Sequence, residues 1–124
     1  MTMQEQLRTL IERHLANLAE QLATVTGLLT PQDATGTVPV AQVVEAEGIM
    51  HQLKGTAGSM GFPDVSAAAR ELDDTLKVLM KRTEPVGAAE LKPALEHLSA
   101  LQHTAKASTP AVSALYNADL SKLA

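Results

Sequence analysis

The feature that most constrains the fold is a helical spacing of apolar residues that recurs in four successive segments of the chain. In each segment, aliphatic side chains return every three or four positions, which places them on one face of an α-helix. The segments span residues 3–25, 39–60, 62–81 and 89–106, and short turn-rich stretches separate them. This pattern predicts an all-α protein, an antiparallel up-down four-helix bundle.

Glycine and proline mark the predicted ends of these helices. Gly27 and Gly61 follow the last apolar positions of the first two segments, where glycine is a common stop signal. Pro39 suits the first turn of the second helix, where its missing N–H would be unpaired anyway. Pro93 inside a helix would cost about 3 kcal/mol. We therefore place the start of the fourth helix late, with Pro93 in its first turn.

The apolar stripes also predict which side chains form the core. Aromatic residues make up only 2% of the chain, so aliphatic side chains must fill this core. The predicted core residues are Leu7, Leu10, Ile11, Leu15, Leu18, Leu22, Val25, Val43, Met50, Leu53, Ala57, Met60, Phe62, Val65, Ala69, Leu72, Leu76, Leu79, Leu91, Ala94, Leu95, Leu98 and Leu101.

The length of 124 residues fits one domain. We assign residues 1–106 to the bundle and residues 107–124 to a C-terminal extension. Thr109 and Pro110 resemble a helix start, and apolar residues after them share one face. We expect the extension to form a short fifth helix packed on the bundle, carrying Val112, Leu115, Tyr116, Leu120 and Leu123.

Composition excludes several functional classes. The chain has no cysteine, which rules out disulfides, thiolate metal sites and cysteine nucleophiles. Its formal net charge of −4 argues against general nucleic-acid binding. No apolar run approaches the roughly 18 residues that span a membrane, and the N-terminus lacks the regions of a signal peptide. We therefore expect a cytoplasmic protein without a membrane partner, and a monomer because no long heptad seam demands a dimer.

Residues 51–61 contain the side chains best suited to carry out a reaction. At about 100° per residue, His51 points well away from the core direction of the second helix, so we expect an exposed imidazole. Lys54, one turn onward, can reach the same place. Gly48 and Gly55 also point away from the core, although each glycine costs about 1 kcal/mol relative to alanine. We interpret Gly55 as clearance for a bulky group that approaches His51.

An exposed neutral imidazole is a good nitrogen nucleophile. A lysine beside it would favour an anion attached to the ring. Phosphoryl transfer needs mainly positioning and charge stabilisation from the protein. Such a pair suffices for a phosphoryl carrier and is too little for a kinase or a phosphatase.

The pattern His-x-Leu-Lys-Gly-x-Ala-x-x-x-Gly at residues 51–61, with apolar positions at Val65, Ala69 and Leu72, resembles the histidine phosphotransfer (HPt) domain of bacterial phosphorelays. The helix layout extends the resemblance over about residues 3–106. The family usually has Glu where this chain has Asp73, a position that we expect on the surface. The resemblance does not extend to residues 107–124.

The resemblance implies that His51 carries the phosphoryl group on its outer ring nitrogen, that Lys54 stabilises it, and that Gly55 leaves room for the partner. The group would pass between aspartates of response-regulator receiver domains, from a hybrid histidine kinase or another receiver. The chain would need no cofactor of its own, because the receiver supplies Mg²⁺. Neither a nucleotide site nor autokinase activity is expected.

Two apolar residues on the His51 side of the second helix suggest a docking surface. Val40 and Val44 should be exposed there. We expect Val40, Val44, Glu47 and Gly58, together with Lys54, to fringe the partner contact.

Other interpretations of the same residues are possible. The bundle could be a helical adaptor or inhibitor that docks a receiver or kinase without being phosphorylated, which acid-labile label at His51 would distinguish. Glu47 and His51 could form half of a metal site, but no second half is evident, so we expect no metal. The glycine-rich stretch lacks the context of a phosphate-binding loop.

The remaining titratable residues fit structural roles. His14 lies near the apolar stripe of the first helix, at a boundary or core position. His97 and His103 should be solvated. Asp73 and Asp74 point about 100° apart and are expected on a solvated face.

Overall fold

The computed structural model describes residues 2–31, 34–113 and 115. Within them the chain forms an all-α bundle of four helices, each packed against its neighbours along the chain, with the first also against the last. This confirms the predicted fold class. The helices are α1 (Met3–Leu28), α2 (Val40–Ser59), α3 (Pro63–Leu79) and α4 (Ala88–Ala107), and one 3₁₀ turn follows at Pro110–Val112. No helix among the described residues combines the length and the apolar character that a membrane crossing requires.

A two-stranded antiparallel ladder, which the sequence pattern did not predict, closes one end of the bundle. Strand β1 (Thr37–Val38) precedes α2, and strand β2 (Val86–Gly87) precedes α4. Thr37 pairs with Gly87 and Val38 with Val86. Both valines are fully buried. Strands of two residues are too short to produce an alternating pattern.

The ladder also explains why Pro93 was placed wrongly. Helix α4 starts at Ala88, directly after β2, so Pro93 lies in its second turn and not in its first. Proline has no N–H, so the carbonyl of Ala89 loses one helical hydrogen bond there. The predicted stop at Gly27 is also early, because α1 continues through it to Leu28.

The connection between α2 and α3 is short and tightly specified. Gly61 has a φ of 83°, a left-handed conformation that favours glycine. Its N–H donates to the carbonyl of Gly58, and the N–H of Phe62 donates to that of Ala57 at 2.9 Å. These two bonds form a Schellman motif, and Phe62 is buried beneath it. The predicted stop at Gly61 is confirmed, and the turn sets α3 directly against α2.

The predicted core is confirmed in most positions. The α3 stripe from Phe62 to Leu79 is buried throughout. Leu10 and Leu95 are exceptions, with 47% and 39% of their surface exposed. They lie at the edges of their stripes, beyond the face that contacts other helices. The remaining predicted core residues that are only partly buried are Leu7, Leu15 and Met60, and the burial of Ala46 was not predicted.

The start of the C-terminal extension lies against the bundle. The hydroxyl of Ser113 donates a hydrogen bond to the carbonyl of Met60 at 2.6 Å, and Leu115 packs against the core. Ala107, which was assigned to the extension, is the last residue of α4, and Pro110–Val112 form a 3₁₀ turn where an α-helix was expected. The greater part of the expected fifth helix, residues 116–123, lies outside the described residues.

Candidate functional site

The imidazole of His51 lies on the exposed face of α2, as predicted. Its side chain is 62% exposed, and Nδ1 lies 3.7 Å from Oδ2 of Asp73 on α3. A carboxylate on that side favours the proton on Nδ1. Nε2 is then the ring nitrogen with a free lone pair, and it is the nitrogen not turned toward Asp73.

The predicted position of Asp73 on the surface is wrong. It was expected on the surface, yet its side chain has no exposed area. Asp73 follows Ala69 by four residues and precedes Leu76 by three, so it faces the interior with these two core residues. Burial is sustained because the carboxylate has cationic partners, as a buried charge requires.

Two lysines supply that positive charge. Lys54 Nζ on α2 donates to Asp73 Oδ2 at 2.7 Å, and Lys77 Nζ, one turn along α3, lies 3.3 Å from the same oxygen. Oδ1 has no hydrogen-bond partner among the described residues. His51, Lys54 and Lys77 thus meet at a single carboxylate oxygen. Lys77 was not singled out from the sequence, although its i, i+4 spacing from Asp73 was a usable signal.

The pKa values of the buried pair reflect this arrangement. Burial alone would raise the pKa of Asp73, but its hydrogen bonds, led by those with Lys54 and Lys77, and the positive charge of Lys54 outweigh burial and hold that pKa below its ordinary value. The hydrogen bond to Asp73 raises the pKa of Lys54. Both groups are therefore charged at neutral pH.

The backbone around Lys54 is held to α3 by a second contact. The Ser66 hydroxyl donates to the Lys54 carbonyl at 2.7 Å. A Cβ atom added to Gly58 would lie 3.4 Å from the Ser66 Oγ. Gly58 was predicted at the rim of a partner contact, and the structure places it exposed beside the α2–α3 seam. Its small size therefore also serves the close approach of the two helices.

Two other glycines face open space. A Cβ atom added to Gly48 or Gly55 would meet nothing within 4 Å. Glycine is thus not required at these positions by packing inside the described part of the chain. The geometry is compatible with Gly55 as clearance for a group that approaches His51.

The side chains predicted to fringe the site lie along one face of α2. Val44 is 48% exposed, while Val40 and Glu47 are half-buried. An exposed valine one turn from a half-buried valine forms a small apolar surface on α2, about two to three turns before the imidazole.

The other histidines lie elsewhere. His14 is buried and stacks on Phe62 with ring centroids 5.7 Å apart, and burial lowers its pKa. This confirms its interior position. His97 Nδ1 lies 3.4 Å from a Glu71 carboxylate oxygen, and His103 is exposed.

A metal site was not expected, but the fold does bring a third candidate ligand to Glu47 and His51. One atom each from Glu47, His51 and Asp73 lies within 4.8 Å of the others. The ammonium groups of Lys54 and Lys77 already contact Asp73 Oδ2, and their charges offset those of the two carboxylates. This cluster favours ion pairing over a divalent cation, and the absence of a metal stays a prediction.

Comparison with known proteins yields one family match. The family model described as "Hpt domain" matches residues 2–104, which include α1 to α3, most of α4 and the whole site. No curated protein and no solved structure matches the chain.

Proposed function

The chain belongs to the Hpt domain family, and we propose that His51 relays a phosphoryl group between aspartates of receiver domains. Hpt domains have a histidine phosphotransfer role in phosphorelays, where they interact with receiver domains and kinases and act as phosphocarriers rather than enzymes. The observation that carries the proposal is the exposed imidazole, which has a carboxylate behind Nδ1 and an amino group one turn away.

The residues support an in-line transfer. The lone pair of His51 Nε2 attacks phosphorus, the P–O bond of the receiver's phospho-aspartate breaks, and the aspartate keeps the electron pair as a carboxylate. The proton on Nδ1 stays in place beside Asp73, which orients the ring as a positioning residue. Lys54 offsets the charge of the phosphoryl oxygens. Transfer to a second receiver reverses these steps.

The partner would supply the other groups that the transfer needs. Mg²⁺ would be held by the receiver domain, and the chain itself would need no cofactor. We expect neither autokinase activity nor nucleotide binding. These features match a carrier that supplies one nucleophile and little else.

The receiver would dock along the exposed face of α2. Val40 and Val44 would offer an apolar contact, Glu47 and Gly58 would lie on either side of His51 at the border of the docking surface, and Gly55 would leave the approach to His51 open. Exposed apolar area of this kind commonly marks a protein contact.

The decisive experiment is transfer of label from a panel of radiolabelled, phosphorylated receiver domains to the protein. We expect wild type to accept label that is lost in acid and retained in base, as a phosphoramidate requires. His51→Gln should accept none, while His97→Gln, in which another partly exposed histidine is changed, should behave like wild type. Label that persists in His51→Gln would disprove the assignment of the phosphoacceptor. Binding of a receiver without any label would instead support a helical adaptor or inhibitor.

A further inference from the structure

The convergence of three nitrogen atoms on one buried oxygen has a consequence for the phosphorylated state. In the unphosphorylated protein, both ammonium groups are engaged by Asp73 Oδ2, at 2.7 Å for Lys54 and 3.3 Å for Lys77. The same oxygen lies 3.7 Å from His51 Nδ1. The two cations that could bind a phosphoryl group are thus occupied before that group arrives.

A phosphoryl group on Nε2 would bring a second anion to this cluster. Its oxygens carry more charge than one carboxylate and accept strong hydrogen bonds from ammonium groups. Lys54 and Lys77 have flexible side chains that are 22% and 39% exposed, so both can rotate outward. Every contact that they make with the phosphoryl group then weakens a contact with Asp73.

We propose that Asp73 sets how strongly His51 holds its phosphoryl group, by competing with that group for the ammonium groups of Lys54 and Lys77. This inference rests on the proposed function and deepens it. It makes Lys77 a second phosphoryl-binding cation, in addition to the lysine of the motif. It makes Asp73 a positioning residue that acts through the lysines and shifts the equilibrium back toward the receiver's aspartate.

The chemistry of the transfer is unchanged by this competition. The P–O bond of the phospho-aspartate breaks, the P–N bond to Nε2 forms, and no proton is gained or lost by either lysine. Only the free energy of phosphohistidine relative to phospho-aspartate changes. The effect therefore appears in an equilibrium constant.

The test is the partition of label at equilibrium between a receiver's aspartate and His51. Asp73→Asn removes the competitor and keeps the shape of the side chain. We expect it to shift the equilibrium toward phosphohistidine by about two- to twelvefold, the range given by the net contribution of one hydrogen bond. Lys77→Met should shift it the other way, and Lys77→Arg should restore most of the wild-type value.

A double-mutant cycle separates competition from simple charge repulsion. If Asp73 acted only by repelling the phosphoryl group, the effects of Asp73→Asn and Lys77→Met would add. Competition predicts instead that Asp73→Asn shifts the equilibrium toward phosphohistidine by a smaller factor when Lys77 is already absent. Additive effects would overturn the proposal.

Matched controls lie on α3 and just after it. Asp64→Asn and Lys81→Met change exposed charges on α3 and beyond its end, away from the cluster, and should leave the equilibrium at its wild-type value. Should Asp73→Asn fail to fold, an equilibrium that Lys77→Met leaves at its wild-type value still overturns the proposal, because Lys77 would then bind no phosphoryl group; Lys77 is partly exposed, so this variant should fold.

The outcomes also distinguish this inference from the proposed function. A wild-type protein that takes no label from any phosphorylated receiver, or from the small donor phosphoramidate, overturns both. A wild-type protein that is labelled at His51, with an equilibrium that neither Asp73→Asn nor Lys77→Met moves, overturns the competition alone.

Discussion

The α2–α3 seam and the α1–α4 seam of this bundle are built from different chemistry. Between α2 and α3 lie a fully buried carboxylate, two lysines and a serine that bonds to a helix carbonyl. Between α1 and α4 lies an apolar groove of about 420 Å³ lined by side chains such as Leu15, Leu18 and Leu22. The Gln102 amide donates a hydrogen bond across it to the Thr26 hydroxyl at 3.0 Å.

The difference shows that the two seams serve different purposes. A buried ion pair is weak evidence for stability, because desolvation offsets much of its attraction. Its place beneath His51 is better explained by the charge that a phosphoryl carrier must handle. The α1–α4 seam lies away from His51, and the groove there is lined mainly by aliphatic side chains.

The largest expected effect compares core truncations in the two seams. Leu72→Ala removes a fully buried side chain beside Asp73, and we expect a loss of about 3–4 kcal/mol in the free energy of unfolding. Leu22→Ala should cost less, about 2 kcal/mol, because the vacated volume opens into the groove and leaves no sealed cavity. Denaturant unfolding followed by circular dichroism would measure both. Equal losses would contradict the idea that the groove side is more loosely packed.

A smaller effect is expected from the buried charge, with a dependence on pH. Because the pKa of folded Asp73 is lowered, its carboxylate stabilises the fold above its unfolded pKa, and this stabilisation disappears as the pH falls through the folded pKa. We expect Asp73→Asn to cost about 1–2 kcal/mol at pH 7. The difference from wild type should shrink once the pH falls below about 4. Asp64→Asn is the control, and a difference that stays constant from neutral to acid pH would refute the charged assignment.

Glycine substitutions should separate stability from transfer. Gly55→Ala meets open space, so helix propensity should stabilise the protein by about 0.5–1 kcal/mol. Transfer from a receiver should slow, because the added methyl group narrows the approach to His51. Gly27→Ala in α1, also facing open space, should raise stability without slowing transfer. Unchanged transfer in Gly55→Ala would show that clearance is not needed at this position.

The smallest change in stability is expected from Val44→Asp. Val44 is 48% exposed and Leu10 on α1 is 47% exposed, so Leu10→Asp is a matched change on a different helix. Both should alter stability by about 0.5 kcal/mol or less. Only Val44→Asp should slow transfer from a receiver, because the new carboxylate would repel the negatively charged phospho-aspartate.

Direct loading provides the control for docking. Phosphoramidate needs no docking surface, so Val44→Asp should accept phosphate from it at the wild-type rate. A loss of helicity in Val44→Asp would show that the substitution damages the bundle. Equal slowing of transfer from the receiver and from phosphoramidate would show that it damages the site itself.

Periodicity predicted the helices well because their cores are aliphatic and regularly spaced. The α3 stripe illustrates this, since all of its predicted residues are buried. Features that depend on contacts distant in sequence were missed. The ladder pairs Val38 with Val86, and α4 begins directly after it, which leaves Pro93 inside the helix.

The site was predicted in part for the same reason. His51, Lys54 and Gly55 lie within one turn and a local pattern, so helical geometry places them. Asp73 was assigned to the surface from its charge, although its spacing from Ala69 and Leu76 already placed it inward. The sequence did not reveal the cation that pairs with Asp73, because Lys54 lies on another helix and reaches Asp73 only through the α2–α3 turn.

The small ladder also provides a way to observe how the chain folds. Its strands are separated by the whole of α2 and α3, so it can form only after these helices have paired and brought the two connections together. Closing so long a loop costs conformational entropy, which the packing of α2 on α3 must offset. The hydrogen-bonded ladder amides, beside the buried Val38 and Val86, should therefore exchange with solvent only through complete unfolding. Their exchange rates would report the stability of the entire bundle from one end of it.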